Sequence, residues 1–127
     1  MVSMQEQAGR AGKIVIIHHD QSFAEFAALI LEEAGFRVTT FLHCLDIGVN
    51  WCQYPDVVVI GIDMSGMSDE ALQAWLEHRF PACGVLLVVS EKGGTNRIPF
   101  PHGPRYLCVN EPVNPQHLIS CVCALIR

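Results

Sequence analysis

The sequence predicts an α/β domain: a parallel sheet covered by helices on both faces, three layers deep and doubly wound. Three observations point there. Residues 14–17, 56–62 and 84–89 are nearly continuous apolar runs, the pattern of strands buried on both faces. Segments with helical spacing of apolar residues alternate with them along the chain. The length, 127 residues and 14.0 kDa, suits one domain with a core of its own.

Residues 1–12 are polar, contain Gly9 and Gly12, and are expected to be a flexible lead-in to a domain spanning 13–127. The first strand, Ile14-Val-Ile-Ile17, ends at His18-His19-Asp20. Ser22-Phe-Ala-Glu25 then fits a capping box, in which hydroxyl and carboxylate satisfy helix-start amides reciprocally. Phe23, Phe26, Ala27, Ile30 and Ala34 recur at helical spacing, and Gly35 supplies the stop. Residues 36–41 alternate as a second strand, and 44–52 predict a short helix ending before Pro55. After the third strand and the turn at 63–67, Ser68 caps a helix to about Phe80, with Ala71, Leu72, Trp75 and Leu76 inward. The fourth strand, 84–89, ends at Ser90. Residues 93–104 carry Gly93, Gly94, Pro99, Pro101, Gly103 and Pro104, so the helix expected by alternation is shortened or lost. Residues 106–109 form the last strand. Asn114-Pro115 opens the last helix, with Leu118, Ile119, Val122 and Leu125 inward.

Composition narrows the function classes. Half the residues are apolar and only 17% are charged, which excludes a disordered chain. No apolar run reaches the ~18 residues of a membrane-spanning helix, and the polar start is unlike a signal peptide. A cytoplasmic protein with no membrane partner is therefore expected. The formal charge of −5, with Lys and Arg scattered, argues against nucleic-acid binding by this chain. The six cysteines (44, 52, 83, 108, 121 and 123) lie in apolar segments and are expected to be reduced, buried packing residues. No glycine-rich phosphate loop follows the first strand, so a nucleotide or flavin role has no support.

In doubly wound sheets the working site lies at the carboxyl ends of the strands. Those ends here are His18-His19-Asp20, Gly61-Ile-Asp63, Ser90 and Glu111-Pro112. The stretch Pro55-Asp-Val-Val-Val-Ile-Gly-Ile-Asp-Met-Ser-Gly-Met67 resembles the central segment of bacterial response-regulator receiver domains, the CheY-like family. That family typically shows Pro-Asp, a hydrophobic run, then Asp-x-x-Met-Pro-Gly-Met. Lys13-Ile-Val-Ile-Ile-His-His-Asp20 matches the strand that ends in the family's acidic pair. The resemblance covers about residues 13–127 and implies a flavodoxin-like, five-stranded sheet in the order 2-1-3-4-5.

The resemblance also shows where this chain departs. Aspartyl phosphorylation needs a carboxylate nucleophile, Mg²⁺ held by hard oxygen ligands, and a Lys and a hydroxyl to stabilise the product. The acceptor Asp falls on Gly61, the acidic pair on His18 and His19, and the Lys on Glu111; only the hydroxyl, Ser90, is kept. Asp63 lies two residues beyond Gly61, roughly 6.5 Å farther along an extended strand, and is the alternative acceptor. The family's switch aromatic falls on Cys108, with Tyr106 two residues earlier. Pro99, Phe100, Pro101, Tyr106 and Cys108 together then imply an altered signalling face.

Two further readings attach to this pocket. His18, His19, Asp63 and Glu111 suit a soft transition metal better than Mg²⁺, yet adjacent strand residues point to opposite faces. One histidine should therefore pack while the other meets solvent. Alternatively, a histidine faces Glu111 across the pocket, a contact that would raise its pKa and couple the site to pH. The function expected is a degenerate receiver domain without catalytic residues or cofactor. It would signal through a protein partner, an attached output domain or a homodimer. The alternatives are a small-ligand, transition-metal or pH sensor in the same pocket, and a response regulator phosphorylated at a non-standard Asp.

Overall fold

A computed structural model describes residues 12–48, 54–61, 68–89 and 105–126. Five strands form one fully parallel sheet: β1 (Lys13–Ile17), β2 (Arg37–Phe41), β3 (Val57–Gly61), β4 (Gly84–Val89) and β5 (Tyr106–Asn110). Their order is β2-β1-β3-β4-β5, as the resemblance implies. Among the described residues three α-helices accompany them: α1 (Gln21–Glu33), α2 (Asp69–Arg79) and α3 (Pro115–Leu125).

The strands' two-residue period divides the core. Ile14, Ile16, Val57, Val59, Leu86 and Val88 pack under α1 and α3, against Ala24, Ala27, Leu31, Leu118 and Val122. Val15, Ile17, Val58, Ile60, Val85 and Leu87 pack on the other face, against Leu72, Leu76 and Phe80 of the α2 side. β1, β3 and β4 are thus buried on both faces, which is why they are continuous apolar runs rather than alternating ones. Truncating a leucine such as Leu31 or Leu76, both fully buried, costs about 2–5 kcal/mol.

Several local expectations are corrected. Asp20, not Ser22, caps α1: its carboxylate accepts the Ser22 and Phe23 N–H groups at 2.9 and 3.4 Å. The helix starts one residue before Ser22, and Glu25 is engaged by the Gln21 amide at 3.0 Å instead of completing a capping box. An anionic cap also faces the positive end of the helix dipole, an advantage a serine lacks. Gly35, at φ 105°, does terminate the helix. Of the residues placed inward, Ala34 and Ala71 are exposed; small side chains at the rim of an apolar stripe leave the pattern ambiguous. Of the helix expected at 44–52, the described part, 44–48, forms a single 3-10 turn, Cys44–Asp46; residues 49–53 lie outside the described ones. Ser68 does cap α2, its hydroxyl accepting the Ala71 N–H at 3.0 Å. Asn114 caps α3, with Pro115 in the first turn. The segment 93–104, and with it the expected loss of a helix, lies outside the described residues.

Cys44, Cys83 and Cys121 are buried and free, as expected, but Cys123 is exposed. Burial pushes the Cys44 and Cys83 thiols up to about 11, so both behave as apolar filling rather than nucleophiles.

Candidate functional site

The carboxyl ends of β1, β3 and β5 bring His18, Gly61 and Glu111 together. His18 follows the last residue of β1 and is 4% exposed, whereas His19 is turned to solvent. Strand alternation predicts that division. The two imidazoles nonetheless stack, with ring centres 4.9 Å apart and planes 15° apart. Phe23, from the first turn of α1, closes on His18 at 4.4 Å.

Gly61 and His18 are complementary in volume. A Cβ placed on Gly61 would lie 2.9 Å from Cδ2 and 3.2 Å from Nε2 of the His18 ring. The imidazole therefore occupies the space into which a side chain at position 61 would extend. The absence of a side chain at position 61 leaves no void; the ring fills the space.

The ring is fixed by hydrogen bonds at both nitrogens. Nδ1 accepts the backbone N–H of Asp20 at 3.0 Å, and Nε2 lies 2.9 Å from Oε2 of Glu111. Because Nδ1 is an acceptor, the ring proton sits on Nε2 and is donated to the carboxylate. Glu111 is held in turn by its place at the end of β5, its N–H donating to the Val89 carbonyl at 2.8 Å. It precedes a cis peptide bond to Pro112. The expected contact between a histidine and Glu111 is thus present, but the direction expected for the pKa is reversed. Burial pushes the His18 pKa below 6.5, outweighing the upward pull of the Glu111 hydrogen bond and charge. The Asp20 N–H also bonds only to an unprotonated Nδ1, so this contact too disfavours the charged ring.

A Mg²⁺-dependent phosphoryl site is poorly served by these groups. His18 offers the pocket an N–H already spent on Glu111, and the carboxylate of Glu111 repels a phosphoryl group where a lysine would attract it. Among the described residues no three His, Cys, Asp or Glu side chains converge on a metal-sized space. Asp63, Ser90, Pro99, Phe100 and Pro101 lie outside the described residues.

Tyr106 and Cys108 do not reach this end of the sheet. Tyr106 pairs with Val85 near the start of β4, and its hydroxyl donates to Glu77 of α2 at 2.6 Å. Burial, followed by the Glu77 contact, raises its pKa. Arg105 packs over the Tyr106 ring at 5.0 Å and donates to the Phe80 and Cys83 carbonyls at 3.1 and 2.8 Å. The tyrosine is therefore part of a clamp on the end of α2. Cys108 is half-buried beside it on the same face.

Sequence reasoning missed Phe23 as part of this site, and the Asp20 N–H as a partner of the His18 ring. It also missed the exchange of volume between Gly61 and His18. A signal for the last existed: a strand end loses its side chain where the neighbouring strand's end gains a ring.

This architecture is that of the response-regulator receiver domains, the CheY-like fold. The chain is similar to a CheY-like receiver domain protein from Methanospirillum hungatei, with a TM-score of 0.69 and 17% identity, over 90% of this chain and 93% of that one. A receiver domain protein from Clostridium thermocellum matches with a TM-score of 0.62 and 21% identity, over 89% and 93% of the two chains. Full-length FixJ from B. japonicum matches with a TM-score of 0.68 and 17% identity. There the match covers 90% of this chain but 57% of the FixJ chain. No protein-family model matches the chain, and no curated protein matches it in sequence. At these identities the likeness is one of fold.

Proposed function

We propose that this chain is a receiver-fold regulatory domain that transmits its signal by protein contact, without phosphorylation of an aspartate at the usual position. The observation that carries the reading is the His18 ring seated on Gly61 and bonded to Glu111. The position has no carboxylate to act as nucleophile, no room for one, and an anion where charge stabilisation is needed. The domain performs no catalysis of its own in this reading. It acts in the cytoplasm on a protein partner, on a covalently attached output domain, or as a homodimer. Two observations are consistent with that setting. The FixJ chain extends well beyond the part that matches, and no helix among the described residues is long and apolar enough to cross a membrane.

The test is intact-mass spectrometry after incubation with acetyl phosphate and Mg²⁺. The mass is expected to stay unchanged. A stable gain of one phosphoryl group, mapped to Asp63 or any other carboxylate, would replace this reading with that of a phosphorylated regulator.

A further inference from the structure

Among the described residues the His18 imidazole is the buried titratable group of the site, and its two hydrogen bonds are compatible with only one protonation state. Nε2 donates to Glu111 and Nδ1 accepts from the Asp20 backbone N–H. An imidazolium carries a hydrogen on both nitrogens, so protonation sets Nδ1–H against the Asp20 N–H at a separation of 3.0 Å. The Glu111 bond survives that change and gains charge; the Asp20 bond does not. Asp20 is also the residue on which α1 is anchored, through its carboxylate to Ser22 and Phe23 and its carbonyl to the Ala24 N–H.

From this geometry we infer that His18 is a proton-operated latch on the turn between β1 and α1. The neutral ring holds the turn closed, and protonation releases the Asp20 backbone and loosens the first turn of α1 while β5 stays tethered through Glu111. The groups facing the ring among the described residues are few. Glu111 faces it from the end of β5, and His19 and Asp20 from the turn itself. α1 contributes Phe23 and β3 contributes Gly61, neither of which titrates. Glu111 and Asp20 favour the charged ring, whereas burial and His19, stacked against it, oppose it. Residues 19–22 are exposed, so release of the turn alters surface available to a partner. The inference rests on the pocket being filled by the ring rather than by a phosphoryl group, and it assigns the regulation of that pocket to protons.

The wild-type chain suffices for the test, because the latch is read by NMR from pH about 7.5 down to about 5, a range that brackets an ordinary histidine. Ring ¹⁵N shifts should place the neutral-state proton of His18 on Nε2. The Asp20 amide should move along the same titration curve as the ring. Protection of the Asp20, Ser22 and Phe23 amides against hydrogen exchange, corrected for intrinsic rates, should fall by about tenfold across the titration. In Glu111→Gln, which keeps an acceptor but removes the charge, the ring and the Asp20 amide should shift together to lower pH. A neutral-state proton on Nδ1, or an Asp20 amide indifferent to the ring in both proteins, overturns the latch. Neither result depends on phosphodonor treatment, so the latch and the phosphorylation-independent reading fail separately.

Discussion

Placing a methyl group on Gly61 tests the volume exchange at the heart of the site. In Gly61→Ala the new Cβ would stand 2.9 Å from Cδ2 of His18. Carbon atoms in good contact sit roughly 3.5–4.0 Å apart, so the ring or strand must move by roughly 0.6–1.1 Å. The ring cannot swing aside cheaply, since Glu111 and the Asp20 N–H hold its two nitrogens and Phe23 lies against its face. Overpacking of this kind costs about 1–3 kcal/mol, and each kcal/mol lowers the Tm of a domain this size by about 3–6 °C. His18→Ala alone should cost about 2–4 kcal/mol, from lost ring contacts and two lost hydrogen bonds. Combined, the two changes should cost less than their sum by at least about 1 kcal/mol, because the methyl group then enters space the ring has left. Urea denaturation of the two single variants and the double variant measures this coupling. Additivity within about 0.5 kcal/mol would refute the claim that ring and glycine share one space.

The helix cap separates two neighbouring residues: Asp20→Ala should cost about 1 kcal/mol and Ser22→Ala less than about 0.5 kcal/mol by the same denaturation assay. In Arg105→Met the two donations to the Phe80 and Cys83 carbonyls disappear, so a loss of about 1–3 kcal/mol is expected in thermal or urea unfolding. Stability should also depend on His18 and pH in a defined sense. The folded pKa lies below the unfolded 6.5, so the unfolded chain takes up the proton first. The contribution of the neutral ring is whole above about 6.5 and is lost as pH falls from there toward the folded pKa. Urea midpoints across that window should fall more steeply for the wild type than for His18→Phe, whose ring cannot titrate.

Much of the architecture was legible because burial on both faces leaves a plain mark. The runs at β1, β3 and β4 contain almost no polar residue, and helices cannot be confused with them at that length and with that β-branched content. Caps were legible where one residue alone fitted the role, as at Ser68 and Asn114. They were not where Asp20 and Ser22 competed within one turn, because either side chain can accept the same amides. At 44–48 the helical reading failed for a different reason: the apolar spacing there serves Cys44 and Ile47, which reach the core from a 3-10 turn and the residue after it. At the site, the strand ends named in the sequence include His18, Gly61 and Glu111, which do meet, and strand alternation divided the two histidines between packing and solvent without saying which was which. It did not disclose the ring's second hydrogen bond. The sign of the pKa follows from burial, which is not visible from residue types. The partner of Tyr106 was not legible either: its place along β5 was known, but Glu77 lies on another element.

The bond between His18 and Glu111 joins residues 93 positions apart, on strands that are not neighbours in the sheet. No local segment can form it. β1 must find β3, β3 must find β4, and β4 must find β5 before the carboxylate comes within reach of the ring. Closing so long a loop is entropically costly until those pairings are in place. The contact therefore belongs to the last stage of assembly, and a chain that has only part of its sheet lacks it altogether. What occupies the pocket is thus also a checkpoint of completeness: the surface around it takes its final form only in a domain whose first and last strands have both been placed.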